Sequence, residues 1–258
     1  MKIKITGILF LLLFVGVTSA FAQSHRQKAK NYFGIQFKPM IPLGLVGDKP
    51  FTIRQDDFET EISPLFGYSY GAAIRIGMTE FLSIETGVNY TKRRYRAEYN
   101  VLDSNLTATD DIGYVSFDIP LNLLVYVKLG NQLYMNVSGG ASMNFNPSNI
   151  RSHITPDQFK KDVFILEGRR YNFFDFHANA EVGFEYRTDR SGAFYLGMAG
   201  RVPFGKVLRI ATEYRYDTHS QVAYGDITGA TFSLHLKYFF PLSTSSNTAH
   251  TQRGPIEF

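Results

Sequence analysis

The segment 231–240 alternates between apolar and polar side chains along almost its whole length. The two faces are Phe232, Leu234, Leu236, Tyr238 and Phe240 against Thr231, Ser233, His235 and Lys237. Phe239 is the exception to the alternation. A period of two places successive side chains on opposite faces of a β-strand. The pattern predicts a strand with one apolar and one polar face.

Seven other segments share this pattern, so the chain contains eight candidate strands. We place the eight near 31–43, 65–78, 81–100, 112–129, 133–146, 173–188, 193–208 and 227–242. Their apolar faces run for five to eight alternating positions, which suits the roughly 9–11 residues that a tilted strand needs to cross a bilayer. We therefore predict an all-β fold, an eight-stranded antiparallel up-and-down transmembrane β-barrel.

The connections between the predicted strands alternate in length. Three are tight hairpins, at 79–80, 130–132 and 189–192, and four are long, at 44–64, 101–111, 147–172 and 209–226. Short periplasmic turns and long extracellular loops are typical of outer-membrane barrels. An even number of strands then places both termini in the periplasm. Pro120 cannot donate a ladder hydrogen bond, so we expect a bulge there.

The two ends of the sequence are expected to lie outside the barrel. Residues 1–22 have the features of a signal peptide: Lys2 and Lys4, an apolar core, and a small-x-small cleavage site at 20–22. The barrel domain then spans 23–242, and a polar tail spans 243–258. The sequence contains no cysteine, which excludes disulfides and thiolate metal sites.

Composition narrows the class of protein further. No second run of about 18 apolar residues exists, which argues against a helical membrane protein. Aromatic residues make up 15% of the chain and are all Phe or Tyr, as expected where rings form girdles at two interfaces. The formal net charge is only +4, so nucleic acid is not an expected partner.

Two of the predicted strands carry motifs that resemble a known family. The segments 116–123 (SFDIPLNL) and 174–186 (FDFHANAEVGFEY) resemble strands of the PorT-like outer-membrane β-barrel domain family of Bacteroidota. The resemblance implies a small eight-stranded barrel without an assigned catalytic signature. It also implies a role as an accessory protein, since some members are implicated in type IX secretion or gliding.

The polar faces of the strands are rich in charge of both signs. The inward-facing set is Lys38, Arg75, Glu85, Asp118, Lys128, Asp175, His177, Glu181, Glu185, Arg201, His235 and Lys237. An eight-stranded barrel is just wide enough for its own side chains, and buried charges must be paired. We expect an interior network of ion pairs. The alternative is a narrow path for ions or small solutes.

Two clusters of side chains are candidates for chemistry. Asp217, His219 and Ser220 lie close in sequence in the last long connection, but a triad requires convergence in space. Asp175, His177 and Glu181 share one strand face, where ligands two residues apart are about 7 Å from each other, and a metal site would need other strands. We expect no catalytic, cofactor-binding or metal-binding residues.

The long connections are the candidate surfaces for partners. The basic set in 147–172 is Arg151, Lys160, Lys161, Arg169 and Arg170. Such a cluster suits the phosphates of lipopolysaccharide or, with its apolar neighbours, a protein partner. The acidic set in 44–64 is Asp56, Asp57, Glu59 and Glu61, and we expect the two connections to lie against each other over the barrel.

The sequence thus predicts a non-enzymatic protein of the outer membrane, in contact with lipid. Its expected role is that of a structural or accessory subunit in a larger outer-membrane complex, which rests on the family resemblance. A small-solute channel is the first alternative, and a lipid-modifying enzyme of the outer membrane is the second.

Overall fold

A computed structural model describes residues 31–42, 48–156, 162–188, 190–217 and 219–241. The predicted signal peptide and C-terminal tail lie outside these ranges. The elements are β1 (Tyr32–Ile41), β2 (Phe51–Gln55), β3 (Phe58–Gly77), β4 (Leu82–Val101), β5 (Leu106–Lys128), β6 (Leu133–Phe145), β7 (Ile150–Ile154), β8 (Asp162–Arg170), β9 (Phe174–Arg187), β10 (Ala193–Pro203), β11 (Leu208–Tyr216), β12 (His219–Ile227) and β13 (Thr231–Phe240). Within the described ranges no helix is long and apolar enough to cross a membrane.

Eight of these strands form a closed barrel. The ring runs β1, β3, β4, β5, β6, β9, β10 and β13, with every neighbouring pair antiparallel. The ring closes because β1 pairs with both β3 and β13, for example Phe33 with Ile74 and with Phe240. The predicted eight-stranded up-and-down barrel is confirmed.

The two faces of the barrel wall differ as the alternation predicts. On β5 the outward side chains are apolar and exposed, as at Leu121 (62%) and Val125 (46%), whereas the inward Asp118 is fully buried. The same apolar outer face continues on β9 and β10, at Phe176 and Leu196. The wall therefore presents an apolar band to the outside and polar groups to the lumen.

The long connections contain strands, which corrects the prediction that they are loops. The connection 101–111 is only a turn at 102–105, because β4 and β5 pair as far as Val101 and Leu106. The connection 44–64 contains β2 and the first part of β3, which pair as a hairpin. Strands β7, β8, β11 and β12 form a separate four-stranded sheet in the order β12-β11-β8-β7.

These additional strands form a cap at the long-connection end of the barrel. We define the cap as β2, residues 58–65 of β3, 94–101 of β4, 106–115 of β5, and strands β7, β8, β11 and β12. Its two sheets enclose an apolar core in which the rings of Phe58, Tyr99, Phe164 and Tyr214 lie with centroids 5.0 to 6.3 Å apart. The core residues from both sheets are nearly inaccessible to solvent. The cap is therefore a folded unit with its own core.

The irregularity expected at Pro120 lies elsewhere. The register of β4 and β5 is the same on both sides of Pro120, so the predicted bulge is wrong. The carbonyl of Pro120 instead accepts a hydrogen bond from the Thr86 hydroxyl at 2.8 Å. The register shift is in β3, between Leu65 and Tyr68, where the barrel meets the cap.

Candidate functional site

Arg75 is the centre of the lumen network. Its guanidinium is completely buried and donates to Glu85 at 2.7 and 3.1 Å and also to Glu185. Its Cζ lies 4.0 Å from the centroid of the Phe239 ring. Two carboxylates and an aromatic face thus replace water around this cation.

Further ion pairs extend the network in both directions from Arg75. Lys237 contacts Glu85 at 2.6 Å and Glu181 at 2.8 Å. Nδ1 of His235 lies 2.9 Å from Glu181. Toward the short-turn end, Arg187 donates to Glu185 at 2.6 Å. These charges come from β3, β4, β9 and β13, so the network connects strands far apart in sequence.

A second cluster lies around Asp118, toward the cap. Arg201 donates to this buried carboxylate at 2.6 Å, and Asn89 donates to it at 3.2 Å. Asn89 in turn accepts from Gln36 at 2.6 Å. Lys38 is buried nearby, and within the described ranges no hydrogen bond or ion pair connects it to a partner.

The space left inside the barrel is small. A cavity of about 20 Å³ lies among side chains of β1, β9, β10 and β13, including Lys38, Glu181, Arg201 and His235. A water molecule needs at least about 10–15 Å³, so this cavity has room for about one water. The side chains around this cavity leave little free space, in keeping with the narrow interior of an eight-stranded barrel.

The structure brings most of the sequence-predicted interior residues together, with one exception. Ten of the twelve are buried and Arg201 is largely so, its side chain being 14% exposed. Lys128 points in the inward direction but lies at the short-turn end of β5, where it is exposed. The prediction that Lys128 is part of the interior set is therefore wrong, because the strand has already left the lumen.

The residues considered for a metal site are separated by their hydrogen bonds. Asp175 accepts from Asn146 at 2.5 Å, and Nε2 of His177 lies 3.3 Å from Asn144. Glu181 is engaged with Lys237 and His235, as described above. In the part of the chain that the structure describes, no group of three His, Asp or Glu side chains could hold a metal ion.

The residues considered for catalysis lie at the tip of the β11–β12 hairpin. His219 and Ser220 are exposed and pair with Tyr216 and Arg215 in the ladder. Asp217 is in the turn, with φ of 50°. No hydrogen bond between these three side chains occurs in the described residues, so they form no triad there.

The apolar core of the cap continues the inner faces that line the lumen. On β4, the inward positions run from Glu85 and Asn89 in the barrel to Tyr95 and Tyr99 in the cap. Above the lumen, the buried Arg93 donates to the hydroxyl of Tyr114. The cap core therefore stands directly over the polar interior of the barrel. These core positions were not predicted from the sequence, although 95–101 and 208–212 also alternate with a period of two.

A carboxylate fixes the cap to the end of the barrel. Asp48 accepts hydrogen bonds from the backbone N–H of Gly229 at 2.9 and 3.0 Å and from the hydroxyls of Tyr95 and Thr228, the former at 2.7 Å. Burial raises the pKa of Tyr95 well above its usual value, and Asp48 raises it further. The hydroxyl therefore stays protonated and remains a donor to Asp48.

The predicted contact between the acidic and basic connections is apolar. Phe58 and Phe164 meet across the two sheets at 6.2 Å, whereas Arg151 and Arg169 both lie 3.4 to 3.5 Å from Glu167 within their own sheet. The Arg170 guanidinium stacks on Phe173 at 3.9 Å. Lys160 and Lys161 lie outside the described residues.

Comparison with solved structures gives distant matches of similar size. One is the crystal structure of the outer membrane protein OprG from Pseudomonas aeruginosa, with 11% identity, a TM-score of 0.49, and coverage of 83% of this chain and 97% of that one. Another is the COG4313 outer membrane channel from Pseudomonas putida F1, with 9% identity, a TM-score of 0.22, and coverage of 85% and 98%.

Sequence comparison gives the family. No curated protein matches the chain. The family profile described as outer membrane protein beta-barrel domain matches residues 21–209. This match covers most of the sequence and agrees with the closed ring of eight strands and its apolar outer band. The chain belongs to the outer membrane protein beta-barrel domain family.

Proposed function

We propose that this protein is a non-conducting, non-enzymatic barrel that serves as a structural or accessory subunit of a larger outer-membrane assembly. The observation that carries the proposal is the cap, whose apolar core stands over the lumen on the same strand faces. A path for ions or hydrophilic solutes would have to cross that core, which is unfavourable for polar species.

The packing of the lumen supports the same proposal. The charges of the network are held by one another at 2.6 to 2.9 Å, and the cavity beside them has room for about one water. Such a network fixes the relative positions of the strands, because all of these pairs except Arg187 with Glu185 join different strands. A rigid, filled barrel suits a protein that presents a folded head to a partner.

The proposal also includes three expectations from the sequence about identity, orientation and role. They are a PorT-like identity with a role in secretion or gliding, both termini in the periplasm, and the cap outside the cell. Arg151, Arg169 and Arg170 remain the candidate surface for a protein partner or lipopolysaccharide. Glu167 offsets part of the charge of the first two.

The rival function is a narrow channel for ions or small solutes. It is favoured by the polar lumen and by buried groups without a partner in the described residues, such as Oδ1 of Asp118 and Nδ1 of His177. Conductance in planar bilayers separates the two. We expect no steady openings from the wild-type protein. Steady openings that change in Arg75→Met or Glu181→Gln would contradict the proposal.

The accessory role has its own test. The tagged protein is extracted from native outer membranes in mild detergent and its companions are identified by mass spectrometry. We expect a stoichiometric larger partner that is lost when Arg151, Arg169 and Arg170 are replaced together by Gln. Recovery of the barrel alone would count against the accessory role, and altered lipid A in a deletion strain would favour the lipid-modifying enzyme.

A further inference from the structure

The outer face of β4 changes from aromatic to basic where the strand enters the cap. Tyr90, Lys92, Arg94 and Arg96 are spaced by two and therefore share the outward face. We call Lys92, Arg94 and Arg96 the basic ladder. The side chains of Arg94 and Arg96 are 46% and 44% exposed, so their guanidinium groups are accessible from outside the barrel.

An aromatic belt lies directly below the basic ladder. Tyr70 and Tyr90 have ring centroids 5.1 Å apart, and Tyr90 and Phe117 have centroids 5.9 Å apart. Below this belt the outward side chains are aliphatic, as at Val88 and Ile119. Aromatic girdles lie at the level of the membrane interface. The belt therefore places the basic ladder in the headgroup layer.

The ladder extends through a substantial depth of that layer. A strand rises about 3.3 Å per residue, so Arg96 lies about 20 Å along the strand from Tyr90. With a tilt of about 45°, this places Lys92, Arg94 and Arg96 at heights of about 5, 9 and 14 Å above Tyr90. Three cations thus occupy successive levels on one side of the barrel.

The ladder keeps an excess of positive charge. Arg94 and Arg96 share the carboxylate of Asp111 at 3.3 and 2.9 Å, and the hydrogen bond from Arg96 lowers the pKa of Asp111. Glu98, the next outward residue of β4, also attracts Arg96, so three cations face two carboxylates. Within the described residues Lys92 has no polar partner. The neighbouring position on β5 is Gly113, which leaves room for the stems of Lys92 and Arg94.

Other basic side chains of the cap also share carboxylates in pairs. Lys206 and Arg209 both contact Asp226, at 2.5 and 3.4 Å, and Tyr171 also donates to that carboxylate. Arg151 and Arg169 share Glu167, as described above. The ladder differs because its three cations stand in one row on the outer face of β4, directly above the aromatic belt.

We infer that Lys92, Arg94 and Arg96 bind the phosphate groups of lipopolysaccharide in the outer leaflet. Arginine and lysine form short, charge-assisted hydrogen bonds with phosphate. A glycolipid with phosphates on a deep sugar headgroup matches cations spread over about 9 Å of height, which follows from the strand rise used above. The inference rests on the proposed position of the cap outside the cell, but it does not depend on the accessory role.

The test compares two variants with the same change of charge. In the ladder variant Lys92, Arg94 and Arg96 are replaced by Gln, and in the control the exposed cap residues Arg54, Arg209 and Arg215 are replaced by Gln. The full mature chain is refolded in detergent micelles, and folding is checked by heat-modifiable mobility. Binding of bisphosphorylated lipid A and of phosphatidylglycerol is measured by native mass spectrometry.

We expect wild-type protein and control to bind lipid A with similar affinity and the ladder variant to bind it at least about 10-fold more weakly. Phosphatidylglycerol should bind more weakly than lipid A to all three. Undiminished lipid A binding by the ladder variant would overturn the inference. Equal loss in the control would also overturn it, by showing that only net charge matters. Tighter binding of phosphatidylglycerol than of lipid A would overturn lipopolysaccharide as the occupant.

A further variant gives an effect of opposite sign. Asp111→Asn removes the carboxylate shared by Arg94 and Arg96 and keeps the size of the side chain. We expect lipid A to bind about 3-fold more tightly to this variant than to the wild type, with the gain reduced at high salt by screening. Weaker or unchanged binding at low salt would contradict the ladder as a phosphate site. Because this variant can be measured alone, the test remains valid if the triple variant does not fold.

Discussion

The barrel and the cap share strands β4 and β5, yet the two regions are built with opposite polarity. In the barrel, β4 turns Val88 outward and Glu85 and Asn89 inward, whereas in the cap it turns Arg94 outward and Tyr99 inward. The polarity is reversed because lipid surrounds the barrel and water surrounds the cap. Lipid requires an apolar exterior and leaves the interior to polar groups, and water reverses both requirements.

This difference means that each region is sensitive to a different kind of substitution. A packed polar interior fails when one member of a pair is removed, because the remaining charge is buried without a partner. An apolar core fails when volume is removed. The two regions can therefore be probed separately, by unpairing a charge in the barrel and by truncating an aromatic side chain in the cap.

The largest effect is expected from Arg75→Met. The change leaves Glu85 and Glu185 facing a lumen without their shared cation, which should destabilise the barrel by about 3–5 kcal/mol. Unfolding by urea in lipid vesicles, followed by heat-modifiable mobility, measures the loss. Lys128→Met is the matched control, since Lys128 is exposed. A loss below about 1 kcal/mol for Arg75→Met would contradict the central role of this arginine.

Phe164→Ala should loosen the cap and leave the barrel intact. Phe164 is fully buried among Phe58, Tyr99 and Tyr214, and truncation of a buried phenylalanine costs about 3–5 kcal/mol. Hydrogen exchange should become faster at the amides of β8 and β11 and remain slow in β9 and β10. Uniformly faster exchange throughout the chain would show that cap and barrel unfold as one unit.

A pair of charge insertions on β4 tests the reversal of polarity directly. Ile84→Arg places a cation on the same outer face about 14 Å below Tyr90, by the strand rise and tilt used above, and should cost about 2–4 kcal/mol near the midplane of the apolar band. Glu98→Arg lies on the same face in the cap, where Glu98 is exposed, and should change stability little. Both are measured by urea unfolding in vesicles, and equal effects would mean that the boundary is misplaced.

The smallest effect is expected from Tyr95→Phe. The variant keeps the ring in the cap core and removes the hydrogen bond to Asp48 at 2.7 Å, which should cost about 1 kcal/mol. Faster exchange should be confined to the amide of Gly229, which donates to the same carboxylate. Exchange that is unchanged at Gly229 would show that the hydroxyl does not help to hold Asp48.

The barrel could be predicted from the sequence because lipid imposes a strict alternation over many residues. The eight predicted segments match the ring strands, including β9, predicted at 173–188 and observed as Phe174–Arg187. The charged interior followed from the same alternation. The sequence did not predict which charges form pairs. The contact between Arg75 and Glu185, for example, depends on how the closed ring places β3 and β9 on facing sides of the lumen.

The cap was missed for a physical reason. Its separate strands span only five to nine residues, as in β2 and β7 with five each and β11 with nine, and turns interrupt the alternation before a long pattern accumulates. The length of these connections and their many charged residues are also typical of solvated loops. The core positions Leu208 and Ile210 on β11, and Phe164 and Leu166 on β8, repeat with a period of two. A search for period two inside the long connections would have indicated a second sheet.

The reversal of polarity on β4 also fixes how deeply the protein sits in the membrane. Moving the cap toward the bilayer would draw Lys92 and Arg94 into hydrocarbon, and moving it away from the bilayer would expose Val88 and Ile84 to water. The first displacement is unfavourable because charged groups lose their hydration. The second is unfavourable because apolar surface becomes hydrated. Any binding surface on the cap is therefore held at a constant height above the bilayer, so a partner that is itself anchored in the membrane meets it at a defined level.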